Sequence, residues 1–399
     1  MRSDPLKNLL MYSAIYLAKN LMKKYTFLML LLAVTCRFSS AQVRIEYIAH
    51  ASFVIESSSG TRLCIDPYNG EHSLGYYFPE NLKVDAVAVT HPHFDHDANY
   101  YLGSDTPNFT KPGNYQVGDI YLTGIKAEHV GAQRFIQGGA VPYNTIWRVE
   151  SDGLDLVHLG DNGRLSDEML KQIGEVDVLM IQVFEDHHLY DDKEFDRVVK
   201  ALKPSTIIPM HFRLTALSDI PSWTGDVDPW IDRKQGARYD GNLVNVERGN
   251  NSGEPQIIKL RHSPEVKAWG EDMKKSWDQF NTIRRKVFTG EKNFGEMNDQ
   301  MSEVIERSPG TLIYYNLKAQ LLDSIGKSEE VVPLLEHGLA NCGPEDWEQQ
   351  IIAHGILARS YERSGAQELT KAHYRWIVQQ PRTYRQDVLE EARAYLKIE

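Results

Sequence analysis

The sequence has little cysteine, no excess of positive charge and only one long apolar run. Three cysteines in 399 residues cannot build a disulfide framework, so the fold must depend on its hydrophobic core. The formal net charge is −11, and an acidic surface repels phosphate backbones, which argues against nucleic acid as a partner. The 42% apolar and 25% charged fractions are ordinary for a globular protein, and the length favours two domains.

The one long apolar run, residues 27–36, lies near the N terminus between Lys23-Lys24 and Ser39-Ser40-Ala41. The first 41 residues carry six Lys/Arg and one Asp, so the remainder has a formal charge of −16. This order is typical of a secretory signal peptide over residues 1–41, cleaved before Gln42, with Met22 as an alternative start. It predicts export to the periplasm or the extracellular space. A retained anchor is the alternative, although the run has about half of the roughly 20 residues that span a bilayer; lipidation at Cys36 is a third reading.

Residues 42–260 are predicted to form a mixed α/β domain. Short apolar runs alternate as paired strands first, and later alternate with helical stretches, which favours an α/β sandwich. One predicted helix has Ser166 as its N-cap, and a second ends before Pro204.

Residues 261–399 are predicted to form a separate, all-helical domain. Residues 310–342 and 349–381 look like two copies of one helix–turn–helix unit, in which Ala319 and Gly326 correspond to Ala358 and Gly365. The pattern resembles tetratricopeptide repeats, and an ordinary helical bundle is the alternative. This region has no cluster of catalytic residue types, so its predicted role is packing or binding a protein partner.

The segment "VTHPHFDHD" carries the predicted chemistry. An apolar strand ends at Thr90, and the carboxyl ends of strands are where α/β sheets usually hold functional groups. His91 and His93 are two residues apart and would point the same way in an extended chain. Asp95 and His96 are expected at the start of a helix. Imidazoles and a carboxylate are the ligands that zinc prefers, so the segment predicts a metal site.

Three later strands each deliver one further candidate ligand. They are His129, Asp161 just after Gly160, and His211. Because all three follow predicted strands, we expect them to lie near the first cluster.

Together these segments resemble the metallo-β-lactamase fold of metal-dependent hydrolases, an αββα sandwich, over about residues 43–260. The opening "YIAHASFVIES…LCIDPY" is similar to the branch that contains the ascorbate-6-phosphate lactonase and, in style, to the N-acyl-phosphatidylethanolamine phospholipases D. The resemblance implies two divalent metal ions, zinc or alternatively manganese or iron, and a metal-bridged hydroxide that cleaves an ester, lactone or phosphodiester bond. It implies that Asp161 bridges the two ions, that Asp95 can also carry a proton, and that the ligands divide into His91, His93 and His129 for one ion and Asp95, His96 and His211 for the other.

Supporting roles are predicted for several neighbours of these segments. Asp66 is a candidate acceptor for a ligating imidazole N–H, and His50 faces either the site or a structural hydrogen bond. His158 is expected to be a buried structural residue, whereas His187, His188 and Arg213 are candidates to border the substrate.

Three departures from the lactonase pattern, Ala49, Asn162 and Phe212, weaken the assignment to that substrate. The alternative function is a non-catalytic metal-binding protein whose helices recruit a protein partner. All seven candidate ligand positions are filled, which favours the hydrolase.

Overall fold

A computed structural model describes residues 24, 42–130, 143–183, 192–220, 224–234, 237–239, 241–247, 253–342, 347–380 and 385–398. The chain divides into two compact units, Met1–Ala41 and Gln42–Glu399. Of the first unit only Lys24 is described. The second contains both the strand-rich and the helical regions, so the division into domains at residue 260 stays a prediction.

Two sheets form the strand-rich region. The first has the order β13-β1-β2-β3-β4-β5, and its strands are Leu243–Glu247, Gln42–Ala49, Ser52–Glu56, Arg62–Ile65, Ala86–Ala88 and Asn108–Phe109. The β1, β2 and β3 strands are antiparallel neighbours, whereas β4 and β5 are parallel additions. The paired strands predicted at the start of this region are therefore present.

The second sheet has eight strands in the order β12-β14-β11-β10-β9-β8-β7-β6. Strands β6 to β9 form an antiparallel meander, and β9, β10, β11 and β14 run parallel. The strands, from β6 to β12 and then β14, are Gly113–Val117, Ile120–Ala127, Asn144–Ser151, Leu154–His158, Val178–Gln182, Thr206–Met210, Arg238–Tyr239 and Gln256–Lys259. In β10 and β11 every residue is buried, as expected for parallel strands that are covered on both faces.

Short helices follow the parallel strands. Helix α1 is Asp167–Ile173, α2 is Asp192–Leu202 and α3 is Asp228–Asp232. The Ser166 side chain accepts a hydrogen bond from the Met169 backbone N–H, so the predicted N-cap of α1 is confirmed. Helix α2 ends at Leu202, before Pro204, as predicted.

From Glu271 onward, the described residues of the C-terminal region form helices joined by short turns. After a lead-in at residues 261–270 come α4 (Glu271–Phe288), α5 (Phe294–Arg307), α6 (Leu312–Ser324), α7 (Val331–Asn341), α8 (Trp347–Arg363), α9 (Gln367–Gln379) and α10 (Gln386–Leu396). Within the described part of the chain, no helix combines the length and apolar composition that a membrane crossing needs.

The two predicted helix–turn–helix units are the pairs α6–α7 and α8–α9. Gly326 and Gly365 occupy the same place in their turns and have nearly the same backbone, with φ of 79° and 78°. Ala319 and Ala358 are both fully buried. The two copies are thus alike in local structure, and their assignment to tetratricopeptide repeats stays a prediction.

Candidate metal centre

The "HPHFDHD" segment forms a tight turn beyond β4. Its backbone folds back on itself, because the N–H groups of His96 and Asp97 both donate to the His93 carbonyl, at 2.9 and 2.8 Å. The expected helix start at Asp95 and His96 is wrong. The turn is followed instead by a short 3-10 helix at Asn99–Leu102, since the Ala98 N–H is held by Pro67 of another loop.

Each later candidate ligand reaches the same edge of the sandwich by a constrained backbone. Gly160 has φ of 58°, and a Cβ there would lie 2.7 Å from Thr90 Cβ, so only glycine fits between β9 and the motif. His129 pairs with Asn162 in an isolated bridge, which brings its loop beside Asp161. His211 follows β11 with φ of 62° and donates its backbone N–H to the His50 carbonyl at 2.7 Å.

The structure brings all seven predicted ligands together. The potential ligand atoms fall into overlapping sets, each within 4.8 Å. These sets are His91 with His93 and His129; His50 with Asp95, His96 and His211; and His91 with His96 and Asp161. The first two sets match the implied division between two metal ions, with His50 added to the second.

Asp161 lies between the two sets. Its Oδ1 is 3.2 Å from His96 Nε2 and 3.4 Å from His211 Nε2, and its Oδ2 is 4.0 Å from His129 Nε2. Asp95 Oδ2 is 3.5 Å from the Nε2 atoms of both His96 and His211. One carboxylate therefore faces both sets and the other faces only one, which suits a bridging and a terminal ligand.

Asp66 orients the motif through hydrogen bonds to His96 and Thr90. This fully buried residue has φ of 51°, and its carboxylate lies 2.7 Å from His96 Nδ1. The same carboxylate accepts hydrogen bonds from the backbone N–H and the hydroxyl of Thr90, both at 2.7 Å. The Thr90 hydroxyl is in turn 3.0 Å from His91 Nδ1. Asp66 thus directs the Nε2 atom of His96 toward the site, as predicted for a supporting acceptor.

Two buried amides were missed by the sequence reasoning. Gln182, the last residue of β10, donates to Asp161 Oδ1. Asn144 donates to the Leu159 carbonyl at 2.8 Å and accepts from the Asp161 N–H at 3.1 Å. Both hold Asp161 in place. Their only sequence signal is a polar residue at the first or the last position of a buried strand.

The electrostatics of the cluster favour positive charge at its centre. Burial alone would raise the pKa of Asp95 and Asp161, but the neighbouring imidazoles outweigh it and hold both pKa values well below the usual range. Burial would lower the pKa of His96, yet Asp161, Asp95 and Asp66 together hold it well above the usual range. The cluster is therefore built around ionised carboxylates that stabilise a cation.

The histidines of the other set are held in the form that binds metal. Burial and the neighbouring imidazoles lower the pKa of His91, and burial lowers that of His93 to about 4. These side chains are therefore neutral at pH 7. The buried Nε2 atom of His129 has no hydrogen-bond partner among the described residues. A buried nitrogen without a partner is costly, and a metal ion would satisfy it. The residues present fit a divalent metal ion.

His50 belongs to the site. The sequence alone did not decide between this position and a structural hydrogen bond. Its Nε2 is 3.0 Å from Asp95 Oδ2, and its ring centroid is 4.0 Å from that of His211. Burial and the charge of His211 lower its pKa to about 4. His50 therefore holds the Asp95 carboxylate within the second ligand set.

The other residues singled out in the sequence are His158, Arg213, His187 and His188, and the two of them that the structure describes, His158 and Arg213, lie outside the ligand sets. His158 is fully buried, is 2.9 Å from the Ala51 carbonyl and accepts from the Gly160 N–H, so its predicted structural role is confirmed. Arg213 donates to the Ile220 carbonyl at 3.2 Å, an internal contact of its own loop. His187 and His188 lie outside the described residues.

The comparisons with known proteins agree with this architecture. Residues 44–211 match the family model for the β-lactamase superfamily domain. A UPF0173 metal-dependent hydrolase of Anaeromyxobacter dehalogenans is 30% identical over 210 residues, which cover 43% of this chain and 75% of that protein. A UPF0173 metal-dependent hydrolase of Thermococcus onnurineus is 28% identical over 194 residues, covering 43% of this chain and 84% of that protein.

Among solved structures, Igni18, a metallo hydrolase from Ignicoccus hospitalis, covers 57% of this chain and 99% of its own, with 17% identity and a TM-score of 0.39. The match of residues 44–211 to the family model confirms the predicted metallo-β-lactamase fold, whereas the likeness to the lactonase branch stays a prediction. Through its N-terminal half, the chain belongs to the UPF0173 family of metal-dependent hydrolases within the β-lactamase superfamily.

Proposed function

We propose that the cluster binds two divalent metal ions, with zinc favoured by the ligand types, and that the protein is an exported hydrolase of esters, lactones or phosphodiesters. The observation that carries this proposal is the pair of ligand sets that share Asp161 as a common neighbour. Histidine-rich sets with few carboxylates favour zinc over magnesium or calcium.

When bound, two such cations would supply an activated water molecule and polarise the bond under attack. The chain's own residues then have three tasks. His91, His93 and His129 form one neutral wall of the site. Asp161 sets the spacing of the two ligand sets, held by Gln182 and Asn144. Asp95 faces the second set, and we assign to it the transfer of a proton between the water and the leaving oxygen.

Hydrolysis adds one water molecule across the bond. The oxygen of the water joins the acyl or phosphoryl atom, one of its protons goes to Asp95, and the proton is returned to the leaving oxygen. His50 supports this transfer by holding Asp95 Oδ2 at 3.0 Å. No serine or cysteine nucleophile is needed.

The metal content tests the proposed centre. We would express the full chain, reload the chelator-treated protein with Zn²⁺ and measure metal by elemental analysis. We expect about two ions per chain, fewer in His93→Ala, and no change in His337→Ala, which removes an exposed imidazole of α7. Undiminished metal in His93→Ala, or none in the parent protein, would reject the centre.

Screening the metal-loaded protein tests the reaction. Esters, lactones and phosphodiesters with chromogenic leaving groups separate the three bond types. We expect turnover of at least one type that chelation abolishes and Zn²⁺ restores. Full metal loading without any turnover would instead favour the non-catalytic alternative.

The proposal of export rests on the basic, apolar and small-residue order of residues 22–41. Mass spectrometry of the protein from a bacterial host, after separation of periplasm and cytoplasm, gives its N terminus. A periplasmic species that begins at Gln42 supports the proposal, and a cytoplasmic species that retains residues 22–41 contradicts it.

A further inference from the structure

Residues 69–78, which we name the 69–78 loop, lie directly against the ligand motif. The Asn69 N–H donates to the Phe94 carbonyl at 2.7 Å, and the His72 ring lies against the Phe94 ring with centroids 3.8 Å apart. Phe94 stands between His93 of the first ligand set and Asp95 of the second. The loop therefore contacts both the backbone and the side chain of the residue that joins the two sets along the chain.

The turn that contains Phe94 is closed by hydrogen bonds. The N–H groups of the two residues after Asp95 both donate to the His93 carbonyl, at 2.9 and 2.8 Å, so Phe94 and Asp95 are enclosed in one turn. The Ala98 N–H, at the end of this turn, donates to the Pro67 carbonyl at 2.8 Å. A displacement of Phe94 would therefore be passed on to the neighbouring ligands, because little free chain lies between them to absorb it.

The 69–78 loop is itself compact. A Cβ at Gly70 would lie 2.5 Å from the backbone nitrogen of Phe78, so the two ends of the loop touch. A Cβ at Gly75 would overlap the side chain of Ser218, in the segment that follows His211. The loop is therefore packed both on itself and on a second segment that carries a metal ligand.

The helical region holds the same loop through two buried tryptophans. His72 contacts Trp277 of α4 edge-on, with ring centroids 5.2 Å apart. In the lead-in to α4, the Trp269 Nε1–H donates to the Gly70 carbonyl at 2.6 Å, and the Trp269 backbone N–H donates to the Gly75 carbonyl at 2.9 Å. The two indole rings also contact each other at 5.7 Å. The His72 ring is thus in contact with the motif and with α4 at the same time.

We infer that Trp277 is a positioning residue for the metal centre, acting through His72 and Phe94 on the ligands His93 and Asp95. Trp277 touches no ligand itself. Its contact fixes the His72 ring, and in a closely packed interior this ring limits where Phe94 can lie. Ligand distances in metal sites vary by only about 0.2 Å, so even a small shift of Phe94 weakens metal binding. This inference rests on the proposed metal-dependent function, and it makes the helical region a part of the centre.

Metal affinity and ligand geometry in full-chain variants test the inference. The variants are Trp277→Leu, which removes the ring, and Trp277→Phe, which keeps an aromatic edge. The control is Trp376→Leu, the same substitution in α9, where the ring stacks on His354 at 3.8 Å and belongs to a different buried cluster. Competition with a chelator gives the Zn²⁺ affinity of each protein. The visible absorption of the Co²⁺-loaded proteins reports the arrangement of the ligands around the ion.

We expect Trp277→Leu to bind Zn²⁺ about fivefold more weakly, which is less than the roughly 10- to 100-fold effect of a direct partner of a ligand. The Co²⁺ spectrum should change as well. Trp277→Phe should keep most of the affinity, and Trp376→Leu should keep both the affinity and the spectrum. All measurements are made at a temperature where circular dichroism shows the metal-free protein to be folded, so a loss of stability alone leaves both readouts unchanged.

A double-mutant cycle with His72 tests the route by which Trp277 acts. His72→Ala should lower the Zn²⁺ affinity by at least as much as Trp277→Leu, and His72→Phe, which keeps a ring against Phe94, should restore most of it. Because the two residues act in series, the double variant should bind no more weakly than His72→Ala alone. Additive effects would overturn the route through His72.

The outcomes separate this inference from the proposed function. A folded Trp277→Leu protein with parental Zn²⁺ affinity and Co²⁺ spectrum would overturn the role of Trp277 while leaving the metal centre intact. If Trp277→Leu does not fold, His72→Ala decides, since parental affinity in that variant overturns the inference equally. A parent protein that binds neither ion would instead reject the metal centre, and this inference with it.

Discussion

Replacing Gly160 with alanine tests how closely the turn before Asp161 is packed. At φ of 58° an alanine is in the left-handed region, which costs an L-residue about 1 kcal/mol. Its Cβ would also overlap the Asn144 Oδ1 atom and come within 2.7 Å of Thr90 Cβ. Forcing a methyl group into such a site costs roughly 1–3 kcal/mol more. We therefore expect Gly160→Ala to lower the free energy of unfolding by about 2–4 kcal/mol.

The chain offers a matched control for this substitution. Gly153, in the turn between β8 and β9, has φ of 74°, and a Cβ there would meet nothing within 4 Å. Gly153→Ala thus measures the backbone cost alone, about 1 kcal/mol. Urea denaturation of the metal-free proteins, followed by circular dichroism, gives both values. Equal destabilisation by the two substitutions would refute the crowding that we derive from Asn144 and Thr90.

Two other substitutions give defined results. Asp66→Asn should weaken metal binding by about 10- to 100-fold, because it alters the acceptor that orients His96; competition with a chelator measures this affinity. The second concerns the pair of His354 and His373, whose Nδ1 atoms are 2.8 Å apart and whose rings stack on Trp376 and Tyr361. Burial and His373 lower the pKa of His354 to about 3, so the unfolded chain binds more protons below about pH 6.5. The free energy of unfolding should therefore fall as pH drops from about 6.5 toward 3, and His354→Gln should reduce this slope.

Exposed residues of the same type serve as controls. Asp105→Asn should leave the metal affinity unchanged, and His337→Gln should leave the pH slope unchanged, because both side chains are exposed. An Asp66→Asn protein with parental metal affinity would show that Asp66 does not orient a ligand. If the pH slope is the same in His354→Gln and His337→Gln, His354 binds protons equally in the folded and the unfolded chain, and the reasoning is refuted.

The candidate metal ligands could be recognised in the sequence because they follow apolar strands, and strand ends meet at one edge of a sandwich. The supporting amides Gln182 and Asn144 were not visible, since a single amide at a strand end is common and its partner is chosen by the fold. The expected helix at Asp95 failed for a related reason. Local propensity cannot foresee the contact between Ala98 and Pro67, which belongs to a different loop.

The helical region shows the same limit on a larger scale. Its helices, its paired units and the turn at Gly326 could be read from periodicity and glycine placement. The packing of Trp269 and Trp277 on the loop at residues 69–78 could not be predicted. A tryptophan in or beside an amphipathic helix indicates that its side chain is buried, but it does not identify the residues that cover it.

The contact between Trp269 and the loop at residues 69–78 can form only late in the synthesis of the chain. The hydrogen bond between Trp269 and Gly70 joins residues 199 positions apart, so the 69–78 loop leaves the ribosome long before its partner exists. At about 5–20 residues per second, the delay is roughly 10–40 s. Over this interval the 69–78 loop lacks its hydrogen bond to Trp269 and its ring contact with Trp277. The motif around Phe94 is therefore translated long before the two tryptophans that pack on the neighbouring loop, and a ribosome that stalls before residue 269 would leave that loop without them.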